Sequence, residues 1–222
     1  MYTPQHFREE RPEVLFDAMR TIGAATLVSP GPEGLVASHL PIEVMAGPIG
    51  EASSPDTGST PARLYCHFAK PNSHGASISD GDELLLIFQG PQSYISPSWY
   101  PSKQVTGKVV PTLNYAAIHA YGTVRMFDDL AGKRRHLTAL SDHFESAYAK
   151  PWALSDAPDD YIESMCNGII GCEITLTRLE GKWKMSQNKS EEDREGSING
   201  LRASGETENR RIADIMAKKR QF

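Results

Sequence analysis

VVPTLNYAAIHAYGTVRMFDDLAGKRRHLTALSDHFESAY, residues 109–148, changes its hydrophobic period once. Up to Phe127 apolar and polar side chains alternate loosely, the period of two that a half-buried strand needs. The run reads as one long strand or a bent pair. Past Asp128 the period lengthens. Leu130, Leu137, Leu140, Phe144 and Tyr148 share one face of a helix, with Asp128 or Asp129 as its N-cap. A strand that hands over to a helix at a polar pair sets the class: mainly β with α.

Upstream, the turn SDGD at 79–82 leads into a buried-strand pattern at 83–89, and 64–69 is another strand. Residues 47–61 are rich in Gly, Pro and Ser and read as a surface loop. Apolar residues 24–28, the turn PGPEG at 30–34 and the run 35–44 form a hairpin. Pro12 opens a helix through Val14, Leu15, Ala18 and Met19, with Gly23 just past its end. Downstream, SDAP at 155–158 starts a short helix that Gly168 ends. A strand follows at 169–177, with Cys172, Ile174 and Leu176 on one side, then a turn at 178–181 and a return at 183–185. Residues 191–201 and 206–219 read as two helices. The order predicts a single domain over 1–222, with a helical insertion at about 128–168 and a helical tail at about 190–222. Short strands with tight turns suggest a small closed barrel.

Hydrophobic residues make up 39% and charged residues 23%, the balance of a globular chain. At this length roughly 70% of the extended surface is hidden on folding, enough for a core without staples. The net charge of −5 speaks against a broad basic surface for nucleic acid and leaves room only for a local patch. Cys66, Cys166 and Cys172 show no CxxC spacing, and Cys66 and Cys172 sit in apolar strand runs, as buried free thiols do. The start, MYTPQHFREERPE, has no apolar signal segment, and no run approaches the ~18 apolar residues of a membrane span. A cytoplasmic protein is expected.

Three places are polar and aromatic where a plain core would be aliphatic. HFAKPNSH at 67–74 ends a strand with a cation and several donors, which suits a phosphate or equally a solvated turn. GPQSYISPSWYPSK at 90–103 joins three prolines, three aromatics, hydroxyls and a lysine. It can hold a flat ring with a polar tail, or simply pack on its own aromatics. VPTLNY at 110–115 and GKWKMSQN at 181–188 bring Asn and Gln, whose amides both donate and accept, as a flavin edge requires. No HExxH, GxGxxG after a strand, or GxSxG is present, and no metal spacing is found. His136 and His143 lie two turns apart and read as a surface or packing pair.

Taken together the chain resembles the PaiB family, FMN-binding negative transcriptional regulators. The strings that carry the resemblance are MYTPQHF at the start, SHLP at 38–41, FQGPQSYISPSWYPSK at 88–103, VVPTLNYAAIHAYG at 109–122, PWALSDAPDDYI at 151–162 and GKWKMSQNKSEEDREG at 181–196. The resemblance implies a six-stranded split β-barrel like that of pyridoxamine-phosphate-oxidase-type flavoproteins. It implies a homodimer with FMN at the dimer interface. Carried over, the phosphate side falls on His67, Ala69, Lys70 and Asn72 and on Ser96, Ser98 and Lys103. The ring side falls near Asn114, Tyr115, Lys184, Gln187 and Asn188. Two positions depart from the family pattern: Leu113 stands where a Trp is usual, and Lys70 stands in a string that is usually Ala-Asn-Pro-like.

The resemblance favours a negative transcriptional regulator of open mechanism. The alternative is an FMN-dependent oxidoreductase or flavin reductase of the same superfamily. No residue pattern demands a proton donor or nucleophile; His39, His119 and Tyr115 are candidates only because they titrate or hydrogen-bond. The one basic cluster is Arg210, Arg211, Lys218, Lys219 and Arg220 in the last helix, directly after an acidic stretch. It reads as a solvated amphipathic helix with Ile212, Ile215 and Met216 as its apolar stripe, so DNA is a partner that charge does not support.

Overall fold

The computed structural model describes residues 1–50 and 60–218. Most of the loop expected at 47–61, and the cations Lys219 and Arg220, lie outside the described residues. In chain order the strands and helices begin with β1 (Arg8–Glu9), α1 (Pro12–Ile22), β2 (Ala24–Gly31), β3 (Gly34–Pro41) and β4 (Glu43–Met45). Next come β5 (Arg63–Ala69), α2 (Ser73–Ala76), β6 (Glu83–Ile95), α3 (Ser102–Thr106) and β7 (Thr112–Phe127). The insertion holds α4 (Leu130–Glu145) and α5 (Asp159–Asn167). Last are β8 (Ile169–Lys184), α6 (Glu191–Ala203) and α7 (Thr207–Ala217). No helix among the described residues is long and apolar enough to cross a membrane.

The strands form one sheet in the order β3-β2-β6-β7-β8-β5-β4, with β1 paired to β8. The mainly β architecture, the helical insertion and the C-terminal helices are as expected. The strand count is not: among the described residues eight strands stand where six were expected, and their path has two ends rather than closing. β1 has two residues and β4 three, too short for a period of two to show in sequence. β4 is separate from β3 because Ile42 turns inward, buried, with its N–H donating to the Gly23 carbonyl at 2.8 Å. β6 runs on to Ile95 and β8 continues unbroken to Lys184, so the loop read from Gly90 starts later and the turn read at 178–181 is strand.

The chain divides into two compact units, and β6, β7 and β8 run from one into the other. The first unit comprises Met1–Ala18, Gln89–Ile118 and Glu180–Phe222. Its buried side chains include Ile95, Tyr100, Ile118 and Trp183. α7 turns Ile212, Ala213, Ile215 and Met216 inward, which confirms the stripe read from the sequence. α6 is opened by Ser190, whose hydroxyl accepts the Asp193 N–H at 3.2 Å. Burying each large aliphatic side chain here is worth about 1.5–3 kcal/mol.

The second unit comprises Met19–Phe88 and His119–Leu179. β2 and β3 pair along their whole length from Ala24↔Pro41 to Gly31↔Gly34. Gly34 closes that turn at φ 123°, a conformation that side chains with a Cβ rarely adopt. β5 lies antiparallel to β8 with Cys66 directly opposite Cys172. All three cysteines are buried free thiols, as expected. The strict alternation of β5 buries Leu64, Cys66 and Phe68 and leaves Arg63, Tyr65 and His67 half-buried on the other face.

Of the stripe expected of α4, only Leu140 is buried. The inward residues of α4 are Gly132, Lys133, His136 and Leu140, while Phe144 and Tyr148 are 43% and 66% exposed. Hydrogen bonds explain the rotation. Lys133 Nζ donates to Asp128 Oδ1 and to the Cys166 carbonyl, both at 2.8 Å. A buried ammonium is tolerated when its donors are matched in this way. The N-cap is Asp129, whose Oδ1 accepts the Gly132 N–H at 2.7 Å.

Candidate functional site

In the first unit the segment after β6 is fixed to α6. Ser96 opens a short 3-10 turn by accepting the Ser98 N–H at 3.2 Å. Trp99 then lies against Gly196 and Gly200, one helical turn apart on α6. A Cβ on Gly196 would stand 2.0 Å from the Trp99 carbonyl oxygen, and one on Gly200 would stand 2.3 Å from its ring. Three residues on, Ser102 gives its N–H and its hydroxyl to Asp193 at 3.1 and 2.7 Å. Asp193 is buried, and these donors offset the cost of hiding its charge. Tyr100 is buried beside it; burial, then the Asp193 charge, raise its phenol pKa above the ordinary value.

So anchored, the segment presents two exposed groups side by side: Lys103 Nζ donates to Ser98 Oγ at 3.2 Å. One cation and one hydroxyl at this spacing are a donor set for a phosphate. Further along the same unit, Lys184 Nζ donates to Thr112 Oγ1 at 2.5 Å. Lys182 stands 5.2 Å from the centre of the Tyr115 ring while giving its proton to the Tyr2 carbonyl at 3.1 Å. Asn188 is exposed.

Asn114 and Gln187 are used internally. Asn114 is fully buried; its amide oxygen accepts Ser186 Oγ at 3.1 Å and its NH2 points at Met216 Sδ at 3.4 Å. Gln187 accepts the Met185 N–H at 2.7 Å and donates to the Trp183 carbonyl at 2.5 Å. Both amides hold the turn in which Ser186 takes φ 61°.

The remaining sequence-derived residues lie in the second unit. Ala69 and Lys70 are exposed at the end of β5. Lys70 Nζ is ion-paired with Asp128 at 2.9 Å. Hydrogen bonds from Lys133, then from Lys70, hold the Asp128 carboxyl below its ordinary pKa. Asn72 Oδ1 caps α2 by accepting the His74 N–H at 3.0 Å. His67 Nδ1 is 3.0 Å from His136 Nε2, and His136 Nδ1 is 2.8 Å from Glu43 Oε2. Burial, then charge on His136, push the His67 pKa down to about 4.

Of the expected twelve, Ser96, Ser98 and Lys103 stand together, and Tyr115, Lys184 and Asn188 present side chains that can meet a ligand. Asp193, Gly196, Gly200 and Thr112 escaped the sequence reading although they hold these groups in place. The two glycines four residues apart on α6 were the one legible signal. Of the two readings of His136, surface or packing, burial favours packing; the sequence did not show that it is bonded at both nitrogens.

The family described as "Putative FMN-binding domain" matches residues 1–178. An uncharacterized protein of Aspergillus fumigatus is 35% identical over 211 residues, covering 80% of each chain. An uncharacterized protein of Emericella nidulans is 39% identical over 162 residues, 68% of this chain; the match spans 64% of that protein's length, just under two thirds. The protease synthase and sporulation protein PAI 2 of Bacillus subtilis is 28% identical over 99% of this chain and 98% of its own. Among solved structures, the flavocytochrome Anf3 of Azotobacter vinelandii superposes with a TM-score of 0.56 at 10% identity, over 86% of this chain and 77% of that one. A conserved hypothetical protein of Mycobacterium tuberculosis gives 0.55 at 10% identity, over 85% and 92%. At such identities the superpositions speak for the fold alone.

Proposed function

From its place in the family of FMN-binding domains, to which this chain belongs, we propose that the first unit holds FMN with the phosphate on Ser98 and Lys103 and the ring toward Tyr115, Lys184 and Asn188. The observation that carries the placement is the Lys103–Ser98 pair, an exposed cation and hydroxyl held 3.2 Å apart by a segment pinned to α6. The donor set fits FMN: a dianionic phosphate needs a cation and hydroxyl donors, and the ring edge needs donors such as the Lys184 ammonium. Asn114 and Gln187 are positioning residues that shape the 183–188 turn. FMN itself supplies electron and hydride transfer when bound. The residues named here bind and orient.

The strand-end set of the second unit is the weaker phosphate candidate. Lys70 Nζ is already engaged by Asp128 at 2.9 Å, and Asn72 is oriented by its Oδ1 in the helix cap. His67 also contributes no cation near neutral pH, since its pKa lies at about 4. The protein works as a cytoplasmic homodimer on this reading. Its role on this reading is negative transcriptional regulation of open mechanism, as the resemblance carried by the strings at 88–103 and 181–196 implies. The second reading is an FMN-dependent oxidoreductase. NADH or NADPH that bleaches bound FMN anaerobically, and is consumed over many turnovers in air as dioxygen reoxidises the flavin, favours the second; FMN that stays oxidised favours the first.

The placement is tested by titrating apoprotein with FMN and following flavin fluorescence. Lys103→Ala or Ser98→Ala should weaken binding by about 1.5–3 kcal/mol, roughly ten- to a hundredfold, the usual worth of a hydrogen bond to a charged group. Unchanged affinity in both single variants and in the double variant sinks the placement.

A further inference from the structure

Within the second unit α4 covers the polar face of the sheet but leaves a cavity of about 250 Å³. Met45, Tyr65 and Phe127 supply apolar wall, while Arg135, His136 and Glu43 supply charge and hydrogen bonds. The volume lies just below the 300–1,000 Å³ of ordinary ligand pockets, so the occupant is small.

The charged groups facing His136 can be taken element by element. From β8, Glu173 is held by Arg125 of β7 at 3.0 Å and by Arg63 of β5 at 3.7 Å. Asp129 of α4 is spent on its helix cap. Glu43 of β4 binds His136. Tyr65 and His67 of β5 are neutral near pH 7. Arg135 is left: it lines the cavity, and among the described residues its guanidinium has no hydrogen-bond or ion-pair partner. Five N–H donors in a planar fork, beside apolar wall, select a carboxylate.

The chain Glu43–His136–His67 has a direction. A carboxylate only accepts, so His136 Nδ1 carries a proton toward Glu43 Oε2. In the tautomer whose one proton between the rings sits on His67 Nδ1, His136 Nε2 accepts it. His67 Nε2 then offers a bare lone pair. A proton arriving at His67 Nε2 lets the Nδ1 proton pass to His136 Nε2. One proton has been gained, His67 is neutral again in its other tautomer, and the positive charge sits on His136 beside the Glu43 carboxylate. The lining carries Glu43, Asp129 and Glu173 against Arg125 and Arg135, and Arg63, 3.7 Å from Glu173, balances the third carboxylate, so a bound anion adds one uncompensated negative charge. The proton gained on the chain offsets it.

We propose that the cavity under α4 binds a small organic carboxylate, its anionic end on Arg135 and its apolar part against Met45, Tyr65 and Phe127, and that binding takes up a proton onto the His67–His136–Glu43 chain. The site is separate from the Ser98–Lys103 placement of FMN and stands whether or not that placement holds. Affinity rises as pH falls, because the bound state carries the extra proton.

Benzoate is the probe, titrated calorimetrically into the full chain with FMN present, in two buffers of different ionisation enthalpy at pH 7. The expected result is uptake of about one proton per benzoate, read from the buffer dependence of the heat. Arg135→Gln should weaken benzoate about tenfold or more and leave FMN fluorescence titrations unchanged. His67→Gln, which leaves the His136–Glu43 contact in place, should cut the proton uptake while benzoate still binds. Benzyl alcohol should bind far more weakly. The proposal is overturned if benzoate does not bind, if it binds without proton uptake, if Arg135→Gln has no effect, or if benzylamine binds in its place with proton release.

Discussion

Gly196→Ala sets two effects of opposite sign against each other. In an exposed helix, replacing Gly by Ala stabilises by about 1 kcal/mol through backbone entropy alone. Here the new Cβ would stand 2.0 Å from the Trp99 carbonyl oxygen and 3.0 Å from Pro101 Cδ. The obstacle is backbone, not the free end of a side chain, and the same segment is tied to α6 again through Ser102 and Asp193. Helix and segment must part by about 1 Å, at the 1–3 kcal/mol usual for overpacking and more where backbone is rigid. The clash wins, leaving a net loss of about 2 kcal/mol, which lowers Tm by about 4–8 °C for a chain of this size. Because Ser98 and Lys103 ride on that segment, FMN affinity should fall as well although Gly196 touches no ligand. The assay is thermal unfolding of the apoprotein beside an FMN titration, with Gly168→Ala as control, where the nearest atom to the new Cβ is 3.4 Å away. A rise in Tm of Gly196→Ala would refute the reasoning, since it would mean that Trp99 does not lie on α6.

Three further outcomes follow from the same geometry. His67 holds a pKa of about 4 in the fold against an ordinary ~6.5, so the unfolded chain binds more protons between those values. Stability is full above pH 6.5 and falls as pH drops toward 4; His67→Gln should flatten that limb of a urea-unfolding profile, and an unaltered slope would assign it to another group. Cys66 is pushed well above its ordinary pKa by its hydrogen bond with Cys172 and then by burial, so native protein should react with a thiol reagent only as fast as it unfolds; immediate labelling would contradict the buried pair. Random duplex DNA should bind no better than about 10⁻⁴ M near physiological salt, since a net charge of −5 and one short basic helix neutralise few phosphates. Sub-micromolar binding in a gel shift would move α7 from solvated surface to DNA contact.

The class of the fold was legible in residues 109–148, where a period of two gives way to a helical one. The stripe of α7 and the buried Cys66 and Cys172 were legible for the same reason: burial of apolar side chains imposes a period, and a period can be read along one chain. The uncommon strings at 88–103 and 181–196 likewise marked the stretches that hold Ser98, Lys103 and Lys184. β1 and β4 could not be read, because two or three residues carry no period and exist as strands only by pairing with β8 and β5. The inward face of α4 could not be read either. Lys133 and His136 look like surface residues until Asp128, the Cys166 carbonyl, Glu43 and His67 arrive to satisfy them. Asn114 and Gln187 have the chemistry of ring binders, yet their hydrogen bonds are taken by Ser186, Met216, Met185 and Trp183. Hydrophobic order is written locally, so the sequence determined the class and much of the core. The employment of each polar group depends on partners tens of residues away, and only the tertiary structure decided which of them were left free for a ligand.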